Sequence, residues 1–131
     1  LPNNIIEKLN YVEKVGNQYD KVFKSSHSIM PDKKNYLGEK IDFLKSKITL
    51  EDIKLNDKYD IIFFDAFAPS KQPSIWERKN LEKIYSYMRD GSILVTYCSS
   101  GQFKRDLKSI GLEVVVLPGP KGKKEMVRAI K

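Results

Sequence analysis

Apolar residues recur at two different periods along this chain, and the switches between them mark out its elements. Ile5, Leu9 and Val12 fall at helical spacing behind Pro2 and the Asn3-Asn4 pair, which predicts an opening helix. Gly16 interrupts it. A second amphipathic stretch then carries Tyr19, Val22, Phe23, Ser26 and Met30 along one face until Pro31 stops it. Residues 31–40 are polar, include Gly38 and read as a loop. From Ile41 the period drops to two, with Ile41, Phe43 and Lys45 on one side and Asp42 and Leu44 on the other, so a short strand is expected. Thr49, with Asp52 three residues later, caps a single helical turn that ends at Ile53.

The second half is more strongly patterned. Residues 59–64, with the apolar run Ile61-Ile62-Phe63-Phe64, predict a buried strand. Residues 74–88 predict a helix with Ile75, Leu81, Ile84, Tyr85 and Met88 as its inner stripe. Asp90-Gly91 reads as a turn into a buried strand over residues 92–98. A helix is expected over 102–110, stopped by Gly111. An apolar strand over 112–117, a Pro/Gly-rich loop and a last strand over 125–130 complete the chain. Strand, helix, strand, helix, strand is the order of an α/β fold with a largely parallel sheet. The last two strands are joined by too short a loop for a crossover helix and should pair antiparallel.

In open α/β sheets, ligands bind outside the carboxyl ends of the strands. The run Ile61-Ile62-Phe63-Phe64 ends on Asp65, and a loop stiffened by Pro69 and Pro73 leads to Trp76. Three segments should meet at that edge: residues 65–69, residues 97–101 and the Gly119–Lys124 loop. Together they offer an acid, a tyrosine, hydroxyls and lysines, enough for a small-ligand or catalytic site. Each residue also has a plainer role: a strand-terminal Asp as a turn cap, Trp76 as packing, and Cys98 as core at the end of a strand. His27 is the only histidine, lies on a helix and has no nucleophile to serve; no metal-ligand spacing occurs.

Composition narrows this picture. At 131 residues, 40% hydrophobic and 31% charged, the chain has the make-up of one soluble globular domain. Its apolar runs are far short of the roughly 20 residues that span a bilayer. A single cysteine allows no internal disulfide, and a cytoplasmic setting is expected. The net charge of +7, from 24 Lys and Arg against 17 Asp and Glu, suits a polyanion such as RNA. Those lysines are spread along the chain, which a lysine-rich proteome would also produce. No G-x-G-x-x-G and no G-x-x-x-x-G-K-[ST] is present, so the usual phosphate-binding loop cannot be read from these residues.

Taken in order, DAFAP, SKQP and Trp76, then DGSILVTYCSSG, Lys104-Arg105 and LPGPKGKKEM resemble the tRNA 5-methylaminomethyl-2-thiouridine methyltransferases. That family includes the methyltransferase half of a bifunctional bacterial enzyme and single-domain relatives. Its pattern runs D-x-F-A-P-x-x-x-P-x-x-W, G-G-x-L-x-T-Y, G-x-V-R-R-x-L, G-F-x-V and P-G-x-G-K-R-E-M. Residues 59–131 follow it in order and spacing, and residues 1–58 more loosely. Two departures stand out: the family's Arg-Arg is Lys104-Arg105 here, and its G-K-R-E-M is Gly122-Lys123-Lys124-Glu125-Met126. Lysine keeps the charge but lacks the planar two-pronged donor geometry of arginine.

The resemblance implies a class I, Rossmann-like S-adenosylmethionine-dependent methyltransferase sheet. The strand at Ile41 would be its third, residues 59–64 its fourth, residues 92–98 its fifth, and the final pair its sixth and seventh. The chain opens on Leu1, and neither the Gly-rich cofactor loop nor the acidic ribose-binding residue is found. Residues 1–131 are therefore expected to be the C-terminal part of a single methyltransferase domain, with little affinity for S-adenosyl-L-methionine alone. The implied reaction methylates the 5-aminomethyl nitrogen of wobble uridine in tRNA, with the anticodon stem-loop as partner. Asp65 would be the catalytic residue, accepting the amine's proton or orienting the amine, and Asp65, Ala66 and Phe67 would line the cofactor. Pro69, Trp76, Tyr97, Lys123 and Lys124 would bind substrate: Trp76 and Tyr97, with Phe67, by stacking on adenine or uracil, and Lys123 and Lys124, with Lys71 and Lys121, on phosphates. With no first strand beside it, the strand at 59–64 would expose an edge prone to self-association. The rival reading is a basic RNA-binding or protein-interaction module without catalysis, and a nucleotide-dependent oxidoreductase is a further one.

Overall fold

The computed structural model describes residues 2–37 and 41–131, so Gly38 of the expected loop lies outside the described residues. The chain folds as two compact units, residues 1–48 and 49–131.

In the first unit the opening helix is two short ones, α1 (Asn3–Ile6) and α2 (Tyr11–Val15), followed by a 3₁₀ turn and α3 (Asp20–Ser28). The break comes where Lys8 and Leu9 donate only three residues back, to Ile5 and Ile6, so the helix tightens and closes. Phe23 on α3 gathers Tyr11 and His27 at ring-centroid distances of 6.0 and 4.7 Å. The end of α3 is covered by Lys45, whose Nζ donates to the carbonyls of Ser26, His27 and Ile29 at 3.4, 3.0 and 3.4 Å. A cation there satisfies carbonyls that the helix leaves open. The strand expected from Ile41 exists as β2 (Asp42–Leu44), but it does not join a large sheet as a third strand. It pairs antiparallel with β1 (Lys34–Tyr36), a segment whose polar sequence reads as loop.

The second unit holds the α/β fold. Its strands are β3 (Tyr59–Phe63), β4 (Met88–Thr96), β5 (Glu113–Pro118) and β6 (Glu125–Ile130), with α4 (Arg78–Ser86) and α5 (Gly101–Ser109) between them. The sheet order is β3-β4-β6-β5; β3 and β4 are parallel, and β6 is antiparallel to both neighbours. In the strand numbering implied by the resemblance, this is fourth, fifth, seventh, sixth. One face of the sheet carries Leu94, Thr96, Val127 and Ala129, with Phe64 just past the end of β3. Against it lie Leu81 and Ile84 of α4 and Phe103 and Leu107 of α5. Burying one leucine there contributes about 2 kcal/mol.

Helix α5 shows how local signals place the loops. Ser100 is its N-cap and accepts from the Phe103 N–H at 3.3 Å. At its other end Leu112 N donates to Leu107 O at 3.1 Å and Gly111 N to Lys108 O at 3.0 Å, a Schellman closure. Gly111 has φ 99°, which a side chain would strain.

Three expectations are corrected in this unit. The helix expected over 74–88 is a 3₁₀ turn (Pro73–Trp76) and then α4, and Met88 already opens β4. The expected Asp90-Gly91 turn is instead a bulge inside β4: Tyr59 pairs with Met88 and Ile61 with Ile93, with Gly91 at φ 79° in between. The β3 strand is not buried. It ends the sheet among the described residues, the edge position expected from the resemblance, and its Ile61 and Phe63 are 51% and 77% exposed.

Candidate active site at the carboxyl edge of the sheet

Because β3 and β4 run parallel, the segments after them leave from the same edge of the sheet. The β6 strand runs the other way, so the Gly119–Lys124 loop that precedes it returns to that edge. Asp65 stands exposed two residues past β3. Ala66, Phe67, Ala68 and Gln72 join it and Tyr97 around an open depression of about 500 Å³. A second depression of about 430 Å³ is lined by Tyr97, Ser99, Lys123, Lys124 and Glu125, so Tyr97 is common to both.

The hydrogen bonds show what holds the loop after Asp65. Tyr97 Oη donates to the Ala66 carbonyl at 2.5 Å, and Trp76 Nε1 donates to the Phe67 carbonyl at 2.8 Å. The Ala68 carbonyl accepts from the Lys71 and Gln72 N–H groups at 2.7 and 3.0 Å, turning the chain around the half-buried Pro69. Phe67 itself is 76% exposed and offers an open ring.

Trp76 is placed differently from its expected role. It is 7% exposed and sits edge-on to Phe64, Phe103 and Tyr97 at 4.8, 5.1 and 6.3 Å, so it is a core post rather than a surface on which a base could stack. The aromatic ring at hand beside Asp65 is that of Phe67. Tyr97 is half-buried, and the Lys123 ammonium lies 3.7 Å from its ring centroid, a cation–π contact. Burial first, then the neighbouring Asp65 carboxylate and Cys98, push the Tyr97 phenol above its ordinary pKa, which keeps it a neutral donor.

Lys124 is exposed, and its carbonyl accepts from Gly119 N at 3.1 Å. Lys104 turns to Glu125 at 3.6 Å. Lys71 and Lys121 are exposed, and neither lines the two depressions. Cys98 is buried core, 3.9 Å from the Ser100 hydroxyl. Ser99 lies in the 97–101 segment expected at this edge, whereas sequence reasoning missed Gln72 as a lining residue. Gln72 lies inside a motif string, but a polar residue in a loop carries no signal of which way it faces.

A model of a family of S-adenosyl-L-methionine-dependent methyltransferases matches residues 6–131, and the chain belongs to that family. Two relatives carry the description tRNA 5-methylaminomethyl-2-thiouridine biosynthesis bifunctional protein MnmC. The one from Campylobacter hominis is 38% identical over 72 residues, 55% of this chain and 11% of that protein. The one from Leptospira interrogans serovar copenhageni is 32% identical over 115 residues, 82% of this chain and 17% of that protein. The chain thus spans less than a fifth of these relatives. The crystal structure of MNMC2 from Aquifex aeolicus matches it with a TM-score of 0.71 at 24% identity, over 88% of this chain and 38% of that one. That likeness is one of fold, and it agrees with the Rossmann-like methyltransferase sheet. No helix among the described residues is long and apolar enough to cross a membrane.

Proposed function

We propose that residues 1–131 are the C-terminal part of a single methyltransferase domain. Its intact form methylates the 5-aminomethyl nitrogen of wobble uridine in tRNA. The observation that carries this reading is the meeting of Asp65, Tyr97 and Lys123 at one strand edge, in a chain that matches the methyltransferase family over residues 6–131.

The residues present fit one flank of S-adenosyl-L-methionine. Asp65 brings a carboxylate and Phe67 an open aromatic ring, both suited to a cationic sulfonium beside an adenine, and Ala66 keeps the wall between them low. Bound there, the cofactor supplies an electrophilic methyl group. The acceptor amine is protonated at neutral pH and must lose a proton before its lone pair can attack. Asp65, exposed and acceptor-only when ionised, takes that proton or holds the amine in line. No covalent nucleophile is required, in keeping with the buried Cys98. Phe67 and Pro69 shape the entrance for the base, with Tyr97 as its rear wall. Lys123 and Lys124 face the second depression and suit phosphates of the anticodon stem-loop.

The outer edge of β3 carries no strand among the described residues, and Ile61 and Phe63 stand exposed beside it. In the intact domain this edge pairs with a further strand; in the isolated chain it pairs with a second copy.

The test is Asp65→Asn in the full-length enzyme, assayed with labelled methyl donor on tRNA bearing the 5-aminomethyl group. Turnover should fall by about 10²- to 10⁴-fold, the usual worth of an acid–base group, while tRNA binding persists. Wild-type turnover in that variant would refute the role of Asp65.

A further inference from the structure

Two aromatic side chains hold successive peptide carbonyls immediately after Asp65. Tyr97 Oη takes the Ala66 carbonyl at 2.5 Å, and Trp76 Nε1 takes the Phe67 carbonyl at 2.8 Å. Carbonyls on an exposed loop ordinarily turn to water. Here they are tied to rings anchored in the core, Trp76 by its edge-on contacts and Tyr97 by the end of β4. The Asp65 side chain is exposed, yet the backbone that carries it is fastened at the next two residues.

The same Tyr97 ring bears the Lys123 ammonium at 3.7 Å. The backbone around Lys123 is itself fixed. Gly119 N donates to Lys124 O at 3.1 Å and Lys123 N to Pro120 O at 2.8 Å, and any Cβ at Gly119 would collide with the Lys123 carbonyl. Tyr97 therefore joins two segments, the acid's loop through its hydroxyl and the lysine loop through its ring. The groups that face the phenol are Asp65, Cys98 and Lys123.

We propose that Tyr97 is a positioning residue for Asp65: its hydroxyl fixes the acid's loop through the Ala66 carbonyl, and its ring ties that loop to Lys123. This rests on the reading of Asp65 given above. It assigns Tyr97 to orienting the acid from behind, where the sequence suggested stacking on a base. A phosphate-bearing substrate that engages Lys123 is then registered, through one ring, against the group that handles its amine.

The test is Tyr97→Phe in the full-length enzyme, which keeps the ring for Lys123 and Trp76 and deletes one hydrogen bond. A typical net hydrogen bond, about 1 kcal/mol, corresponds to about a fivefold change. Amide exchange at residues 71 and 72, whose N–H groups bond the Ala68 carbonyl of the same loop, should therefore quicken by about fivefold. The kcat for tRNA methylation should fall by a similar factor, with KM for tRNA within about twofold. Wild-type exchange rates at residues 71 and 72 would overturn the clamp, and faster exchange with an unchanged kcat would overturn its positioning role. Failure of the parent reading looks different: Asp65→Asn would then retain activity, and the exchange measurement would still decide whether Tyr97 holds the loop.

Discussion

The two units spend similar apolar residues in opposite ways. Among the described residues of the first, only Ile6 and Leu37 are buried, while Tyr11, Val15, Val22, Met30, Ile41, Leu44 and others stand exposed. The second gathers one continuous core running from Phe64 and Trp76 through Leu94 and Leu107 to Ala129. An amphipathic pattern thus creates an apolar face without guaranteeing that the face is packed. The site stands on the unit with the core, where its acid, phenol and lysine are referenced to a rigid sheet. Even the shared device of a lysine across a helix end differs in setting. Lys45 caps α3 in the small unit, whereas Lys131 caps α4 with bonds to the Tyr85 and Met88 carbonyls at 3.2 and 3.0 Å and a place over the Tyr85 ring.

The sharpest way to break the comparison is a pair of leucine truncations. Leu107→Ala, at a fully buried position that also closes the α5 Schellman motif, should cost about 3 kcal/mol in denaturant unfolding. Leu44→Ala, at a position 59% exposed, should stay within about 0.5 kcal/mol. Equal costs would mean that the first unit packs as tightly as the second.

A smaller effect is expected at the open edge of the core-bearing unit. Phe63→Lys should leave the unfolding midpoint almost unchanged, because that side chain is 77% exposed. It should also shift the isolated chain toward monomer in sedimentation runs at rising concentration. Self-association that persists with lysine at this position would move the contact away from β3.

The smallest effect is in alkali. The Tyr97 phenol titrates above its ordinary value in the fold. The folded chain therefore holds that proton more tightly than the unfolded one, and its contribution is fully present below about pH 10. It is lost as pH rises from there through the raised folded value. Between pH 9 and pH 11 the urea midpoint of the wild type should fall slightly more steeply than that of Tyr97→Phe. Parallel slopes would show that the phenol is not held in its neutral form.

Much of the second unit was legible because its signals are local and agree with one another. The helix expected over 102–110 with Gly111 as its stop matches α5 to within a residue, and β6 falls on the span expected for it. Where sequence reading failed, tertiary structure supplied the missing fact. Asp90-Gly91 has the chemistry of a turn, but pairing of Met88 with Tyr59 holds it within a strand as a bulge. Ile61 and Phe63 belong to a run that reads as buried on both faces; its place at the edge of the sheet was expected from the resemblance and not from its own pattern. Lys34–Tyr36 has no alternation and becomes a strand only because residues 42–44 lie alongside. At the site, the meeting of three loops followed from topology. That Trp76 and Tyr97 turn their polar tips to carbonyls rather than to ligand did not, since a ring's orientation leaves no trace in spacing.

Lys131 has a practical bearing beyond its helix cap. Its backbone is woven into the middle of β4, beside the bulge, donating to Ser92 O at 3.0 Å and accepting from Gly91 N at 2.7 Å. Ser92 lies five residues along the strand from Tyr97, roughly 17 Å away at about 3.3 Å per residue. An affinity handle, dye or surface tether joined at residue 131 would leave from an anchored point rather than a loose tail, and would leave the mouth beside Asp65 clear.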